Sequence, residues 1–134
     1  MGPLMMVGHM LKRAIPVIHV ADAVAAEEFY CRRLGFNLVS AWRADATLAN
    51  PAYLTIERDG VQLHLTSFKD GTVGIWTSNV YVFVEDVDGI FEELSLRGVV
   101  AASSPVDQSW GTREFAVRDA DRNVISFGQR RSSA

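Results

Sequence analysis

The chain repeats a short pattern at an interval of about 64 residues. Val20-Ala21-Asp22 returns as Val84-Glu85-Asp86, and each copy follows an apolar run. The Asp in each copy can accept hydrogen bonds from the free amides of a helix's first turn. Gly35 and Gly98 then stand where a left-handed residue would end each helix. Such a repeat predicts two copies of one supersecondary unit.

Each copy predicts one helix and four strands in the order β-α-β-β-β. Hydrophobic periodicity places the helices at about 23–34 and 87–97. The predicted strands cover about 12–20, 37–44, 51–58, 61–67, 79–85, 99–104, 112–118 and 124–129. Asp59-Gly60 predicts a two-residue hairpin turn. The fold class is therefore α+β, with one domain at 11–134 that contains a module at 11–68, a linker at 69–78 and a module at 79–129.

Composition and charge exclude several classes of protein. The 134 residues are 49% apolar and 22% charged, as expected for one soluble globular domain. The net charge of -3 argues against nucleic-acid binding, and no apolar run approaches the about 20 residues of a membrane span. Residues 1–10 are predicted to be a flexible tail. Cys31 is the only cysteine, which excludes an internal disulfide and favours the cytoplasm.

Two strands alternate between aliphatic side chains and polar or aromatic ones. Because successive side chains of a strand point to opposite faces, one face of the sheet is aliphatic and should lie under the helices. The other face carries Gln62, His64, Thr66, Asn79, Tyr81 and Phe83. Aromatic area with a few polar groups suits a ligand cavity. The same pattern suits a second core or a subunit interface equally well.

Four segments within residues 14–128 resemble the glyoxalase, bleomycin resistance and extradiol (ring-cleaving) dioxygenase superfamily, also called the vicinal oxygen chelate superfamily. They are AIPVIHVADAVAAEEFYCRRLGF, YLTIERDGVQLHL, VYVFVEDVDGIFEEL and WGTREFAVRDADRNVISFGQ. Within the superfamily the sequence is most similar to the bleomycin-resistance proteins. That resemblance implies a curved mixed sheet around a cleft, paired in a homodimer. It also implies stoichiometric binding of an antibiotic without catalysis.

Enzymes of this superfamily hold a divalent metal at four strand positions. The motifs map these positions onto Ile15, His64, Asn79 and Ser126. Zn²⁺, Fe²⁺ and Mn²⁺ need His, Cys or carboxylate ligands, usually three or more from the protein. Only His64 is of that kind, and Ser126 stands where the family's closing strand usually carries Glu. We therefore expect no metal, no cofactor and no catalytic residue.

The favoured interpretation is a metal-free protein that binds and sequesters a small molecule of antibiotic type. Its ligand is expected to be a flat or cationic antibiotic, and its only other partner a second copy of the chain. Tyr81 and Trp110 fall on positions that resemble the family's drug-stacking aromatics, although Trp110 fits equally well as a loop residue that holds the seventh strand. The expected ligand-binding residues are His64, Tyr81, Phe83, Trp110, Trp42, Tyr53, Asn79, Arg113 and Ser126.

Several alternatives stay open at this level. The main one is a metal-dependent enzyme of the superfamily: a glyoxalase, a thiol transferase or a ring-cleaving dioxygenase. Another is a structural or regulatory dimer whose cavity has closed. Strand parity leaves open whether Arg113 or Glu114 faces the cleft. Trp76 is expected near the subunit contact.

Overall fold

The computed structural model describes residues 8–73 and 77–132, which form two four-stranded mixed sheets. The expected position of Trp76 lies outside these residues. The first sheet contains β1 (Val17–His19), β2 (Asn37–Arg43), β3 (Ala52–Arg58) and β4 (Val61–Ser67). The second contains β5 (Asn79–Phe83), β6 (Val106–Asp107), β7 (Thr112–Arg118) and β8 (Val124–Arg130).

The two sheets have the same topology. Their strand orders are β1-β4-β3-β2 and β5-β8-β7-β6. In each, the first strand runs parallel to the fourth, and the other pairs are antiparallel. This equivalence confirms the α+β fold of two βαβββ modules. The mixed sheet expected around a cleft is divided into two, one for each module.

Two strands are shorter than predicted. The first strand, expected at about 12–20, is the three-residue β1, because Pro16 has no amide to donate and the residues before it find no partner strand. The sixth, expected at about 99–104, is instead the two-residue β6. The predicted stretch combines two valines with small Ala and Ser residues and leads into Pro105, which has no amide to donate to a neighbouring strand.

The helices begin and end where the repeat places them. Asp22 caps α1 (Ala23–Glu27), and Asp86 caps α2 (Val87–Leu96), each by accepting backbone N–H groups. Gly35 and Gly98 follow the helices with φ of +80° and +84°, a conformation that glycine adopts without a steric penalty. No helix of the described residues is long and apolar enough to cross a membrane.

The first helix continues as a π-helical segment, Glu28–Arg33, which periodicity did not predict. Its wider turn is closed by Leu34 N–H donating to Phe29 O at 3.0 Å, five residues back. The segment carries Tyr30 into the core, where its side chain is fully buried. Most other core residues are the alternate apolar side chains of the strands, as the sequence predicts.

A buried polar network joins the two modules. The Tyr30 hydroxyl donates to Asp119 Oδ2 at 2.8 Å, and Asn123 Nδ2 donates to the same oxygen at 2.8 Å. Asn123 Nδ2 also donates to His19 O, and Asp121 Oδ2 accepts from Ala21 N–H. Burial, reinforced by the Asp119 charge, raises the pKa of Tyr30 above its ordinary value. The 119–123 turn of the second module is thereby bonded to the first.

Three arginines connect the modules near the helix ends. Arg33 donates to Arg97 O at 2.8 Å, and Arg97 donates to Arg32 O at 3.0 Å, so the repeated arginines make nearly reciprocal contacts. Arg58 at the end of β3 makes a bidentate pair with Glu93 on α2, at 2.8 and 2.7 Å. Bidentate pairs of this kind fix orientation as well as adding energy.

We predict that Tyr30→Phe lowers the free energy of unfolding by about 1.5–3 kcal/mol, because Asp119 loses a hydrogen bond to its charge. Because the pKa of Tyr30 is raised on folding, the unfolded chain loses the tyrosine proton at a lower pH than the folded chain does. The stability of the folded state is therefore unaffected below the ordinary tyrosine pKa of about 10 and declines as the pH rises above it. In denaturant unfolding measured as a function of pH, the free energy of unfolding should therefore fall less at alkaline pH in Tyr30→Phe than in the unmodified chain.

The matched control is Tyr53→Phe, whose hydroxyl lies on an exposed strand face. It should change the free energy of unfolding by no more than about 0.5 kcal/mol. A structural role for the network would be contradicted if the two substitutions lowered the free energy of unfolding equally. It would also be contradicted if that free energy fell with alkaline pH as steeply in Tyr30→Phe as in the unmodified chain.

Candidate functional site

Both sheets present a face that the helices do not cover, which we call the open face. In the first module it carries a hydrogen-bonded aromatic pair: the Tyr53 hydroxyl lies 2.7 Å from His64 Nδ1, and the rings meet edge to face at 5.1 Å. Trp42 on β2 lies directly across from Tyr53, with its side chain 58% exposed. The first open face therefore combines aromatic surface with one imidazole whose Nδ1 has a partner.

The second open face is built around Tyr81. Its hydroxyl donates to Glu114 Oε2, which also accepts from the Thr112 hydroxyl. A Cβ atom at position 128 would overlap the Tyr81 hydroxyl oxygen. Because Gly128 has no side chain, the Tyr81 ring can lie over β8 at this point. Burial and the bond to Glu114 raise the pKa of Tyr81 above its ordinary value.

Phe83 extends this aromatic surface along β5. Its ring lies 5.0 Å from that of Tyr81, and the Arg130 guanidinium stands 4.8 Å above it as a cation–π contact. Both rings remain accessible, with Tyr81 42% and Phe83 56% exposed. The second open face thus offers two aromatic rings beside a carboxylate.

The structure resolves the choice between Arg113 and Glu114. Arg113 points to the helix side, where it bonds Asp88 of α2 at 3.0 Å and Asp107 of β6 at 3.1 Å. Glu114, its neighbour on β7, points to the open face. The structure therefore places Glu114 on the open face, and not Arg113, which was the expected ligand-binding residue. The alternation of buried Phe115 and Val117 along β7 was the signal that could have assigned Glu114 to the open face.

The remaining candidates lie at the margins of the open faces. Trp110 precedes β7 in a turn and is 67% exposed, so its side chain does not hold that strand against the core. Asn79 is exposed at the start of β5. Ser126 is half-buried and lies across from Tyr81 and Ala116. None of the three makes a side-chain hydrogen bond to another described residue.

The four mapped metal positions are not directly paired across neighbouring strands. His64 pairs with Val17 and Ser126 pairs with Tyr81, so Ile15 and Asn79 lie two residues before these partners. His19 shares the face of His64 but stacks on Phe68 at 5.4 Å. Within residues 8–73 and 77–132, no three His, Cys, Asp or Glu side chains are grouped closely enough to hold a metal ion.

A profile of the Glyoxalase/Bleomycin resistance protein/Dioxygenase superfamily matches residues 7–127. The chain belongs to this superfamily. A bleomycin resistance protein of Geobacillus stearothermophilus is 27% identical over 134 aligned residues, which cover 87% of this chain and 96% of the relative. A Staphylococcus aureus protein of the same name is equally similar.

Solved structures of the superfamily share the fold. TnmS3, an antibiotic binding protein from Streptomyces sp. CB03234, superimposes with a TM-score of 0.67 at 24% identity, covering 91% of this chain and 99% of its own. A glyoxalase-related enzyme from Clostridium phytofermentans gives a TM-score of 0.73 at 17% identity, covering 92% and 98%. An antibiotic binding protein and a glyoxalase-related enzyme thus share this architecture, so the fold alone does not distinguish binding from catalysis.

We predict that Glu114→Gln lowers the pKa of Tyr81 towards the ordinary tyrosine value, because the neighbouring carboxylate disfavours the phenolate. Ultraviolet titration of the tyrosines measures this shift, and subtraction of the Tyr81→Phe curve assigns it. Glu57→Gln is the matched control, since Glu57 accepts from Gln62 in the first sheet and has no bond to Tyr81. An unchanged Tyr81 titration in Glu114→Gln would contradict the described contact.

Proposed function

We propose that this superfamily member binds and sequesters a flat small molecule of antibiotic type without altering it. The supporting observation is the character of the open faces. Trp42, Tyr81, Phe83 and Trp110 expose aromatic surface that a folded protein ordinarily buries or covers. Planar rings stacked on such surface gain burial energy together with a preferred geometry.

The polar groups of the open faces favour a ligand with N–H groups or a positive charge. Glu114 receives two hydroxyl donors on one oxygen, Oε2, which leaves Oε1 available to accept from a ligand. His64 uses Nδ1 for Tyr53, so Nε2 is the ring nitrogen that remains. A few such groups beside aromatic area orient a ligand without supplying a reaction.

The same geometry supports binding over catalysis. The hydrogen-bond partner of His64 among the described residues is the Tyr53 phenol, and not a Ser or Cys side chain that the imidazole could activate as a nucleophile. The positions at which the superfamily's enzymes hold metal carry one imidazole among apolar, amide and hydroxyl side chains. The bleomycin resistance proteins and the antibiotic binding protein to which the chain is similar support the same proposal.

We further propose that the protein works as a homodimer in the cytoplasm. Leu38, Val39 and Trp42 on β2 are 41%, 55% and 58% exposed, and β2 is an edge strand of its sheet. An edge strand with exposed apolar side chains is prone to pair with another chain. A second copy would cover this strand and convert the open faces into clefts. The single thiol of Cys31 favours the cytoplasmic location.

Titration with a bleomycin-type glycopeptide tests the binding proposal. Tryptophan fluorescence should be quenched and should saturate near one ligand per chain, with the drug recovered unchanged. Trp110→Ala should weaken binding by about 1–3 kcal/mol, the range for an aromatic anchor of a contact. Leu96→Ala is the control, because Leu96 is 84% exposed on α2 and away from the open faces. Recovery of a chemically altered drug would instead support an enzyme.

Analytical ultracentrifugation tests the dimer. At micromolar concentration the mass should be about twice the 14.8 kDa of one chain. Val39→Glu should shift the equilibrium towards monomer, because it places a charge on the surface that the partner would bury. Leu96→Glu should leave the dimer intact. A 14.8 kDa species throughout this range would refute the dimer.

A further inference from the structure

The pseudo-symmetry of the two modules creates two equivalent grooves between them. Different side chains line the two grooves. The first groove lies between α1 and the 119–123 turn, where Asp121 bonds Ala21 N–H and Tyr30 bonds Asp119. Phe29 also projects into it and borders two recesses of about 110 and 330 Å³. Side chains of both modules therefore divide the first groove into two smaller recesses.

The second groove lies between α2 and the Asp59-Gly60 turn and holds a single cavity of about 540 Å³. The Arg58–Glu93 pair borders this cavity, and the repeat explains why no further side chains fill it. Its hairpin turn has two residues and cannot reach across as the 119–123 turn does. Leu94 replaces Tyr30 at the equivalent helix position, so no hydroxyl bridges the modules. Gly89 replaces Ala25 and contributes no side chain to the wall.

The lining of the second groove is amphipathic. Its apolar floor is made by Phe36, Val61, Val82, Ile90 and Phe127. Four carboxylates stand around it against one guanidinium, namely Asp59, Glu85, Asp86 and Glu93 against Arg58. Glu93 holds that guanidinium in a bidentate pair and Asp59 lies 3.5 Å from it, so Glu85 and Asp86 leave the groove negative. Glu85 makes no ion pair with another described residue.

We propose that the second groove is a binding site for a small amphipathic cation, an ammonium group attached to an aromatic body. The volume is within the range of about 300–1,000 Å³ for small-molecule sites. The aromatic body would bury apolar area against Ile90 and Phe127, and the ammonium would lie beside Glu85. The site lies mainly on the helix side of the sheets, and Phe83 of the second open face borders it at one edge. It does not depend on the function proposed above.

Benzylammonium is the probe, with benzyl alcohol and benzoate as matched controls for charge. Methyl resonances of Ile90 and Val82 should shift and saturate with benzylammonium, more weakly with the alcohol, and least with benzoate. Ile90→Trp fills the cavity and should abolish saturation. Glu85→Gln should weaken binding about threefold to fivefold, as expected for an exposed charge, while Glu57→Gln should leave it unchanged.

Three results would overturn the proposal: no saturable shift with benzylammonium, equal shifts with benzoate, or shifts that map to His64 and Tyr81 instead. The Glu85→Gln comparison keeps the test decisive if Ile90→Trp fails to fold, because Glu85 is exposed and carries no structural contact. If the same preparations do not bind the antibiotic, the benzylammonium result still stands. Each of the two proposals can therefore be refuted without the other.

Discussion

The buried carboxylate of Asp119 is the contact on which the arrangement of the two modules depends. It accepts hydrogen bonds from Tyr30, from the side chain of Asn123, and from the backbone amides of Asp121 and Asn123. A buried carboxylate without such donors would be strongly destabilising. The requirement therefore fixes the 119–123 turn against the first helix. It also sets the position of one open face relative to the other.

Divergence between the two copies gives each open face its own chemistry. In the first sheet Tyr53 bonds His64 across neighbouring strands. In the second, Gly128 leaves room for the Tyr81 ring, whose hydroxyl then reaches Glu114. The duplicated scaffold is thus conserved in topology while its exposed side chains differ.

Local rules predicted much of this structure from the sequence. The Asp caps, the terminal glycines and the alternating strand faces depend on neighbouring residues alone, and these elements are as predicted. The π-helical segment and the short β1 depend on contacts made after folding, namely the burial of Tyr30 and the lack of a partner strand before Pro16. Glu114 was left undecided because its parity is visible only once Phe115 and Val117 are placed in the core.

The central claim is that the open faces bind a ligand without metal-dependent chemistry. Elemental analysis of the purified protein, made together with product analysis after incubation with a saturating glycopeptide antibiotic, tests it most directly. We predict that the purified protein contains no stoichiometric divalent metal and that the drug is recovered fully and unaltered. About one Zn, Fe, Mn or Ni ion per chain, lost in His64→Ala and accompanied by conversion of the drug, would contradict it.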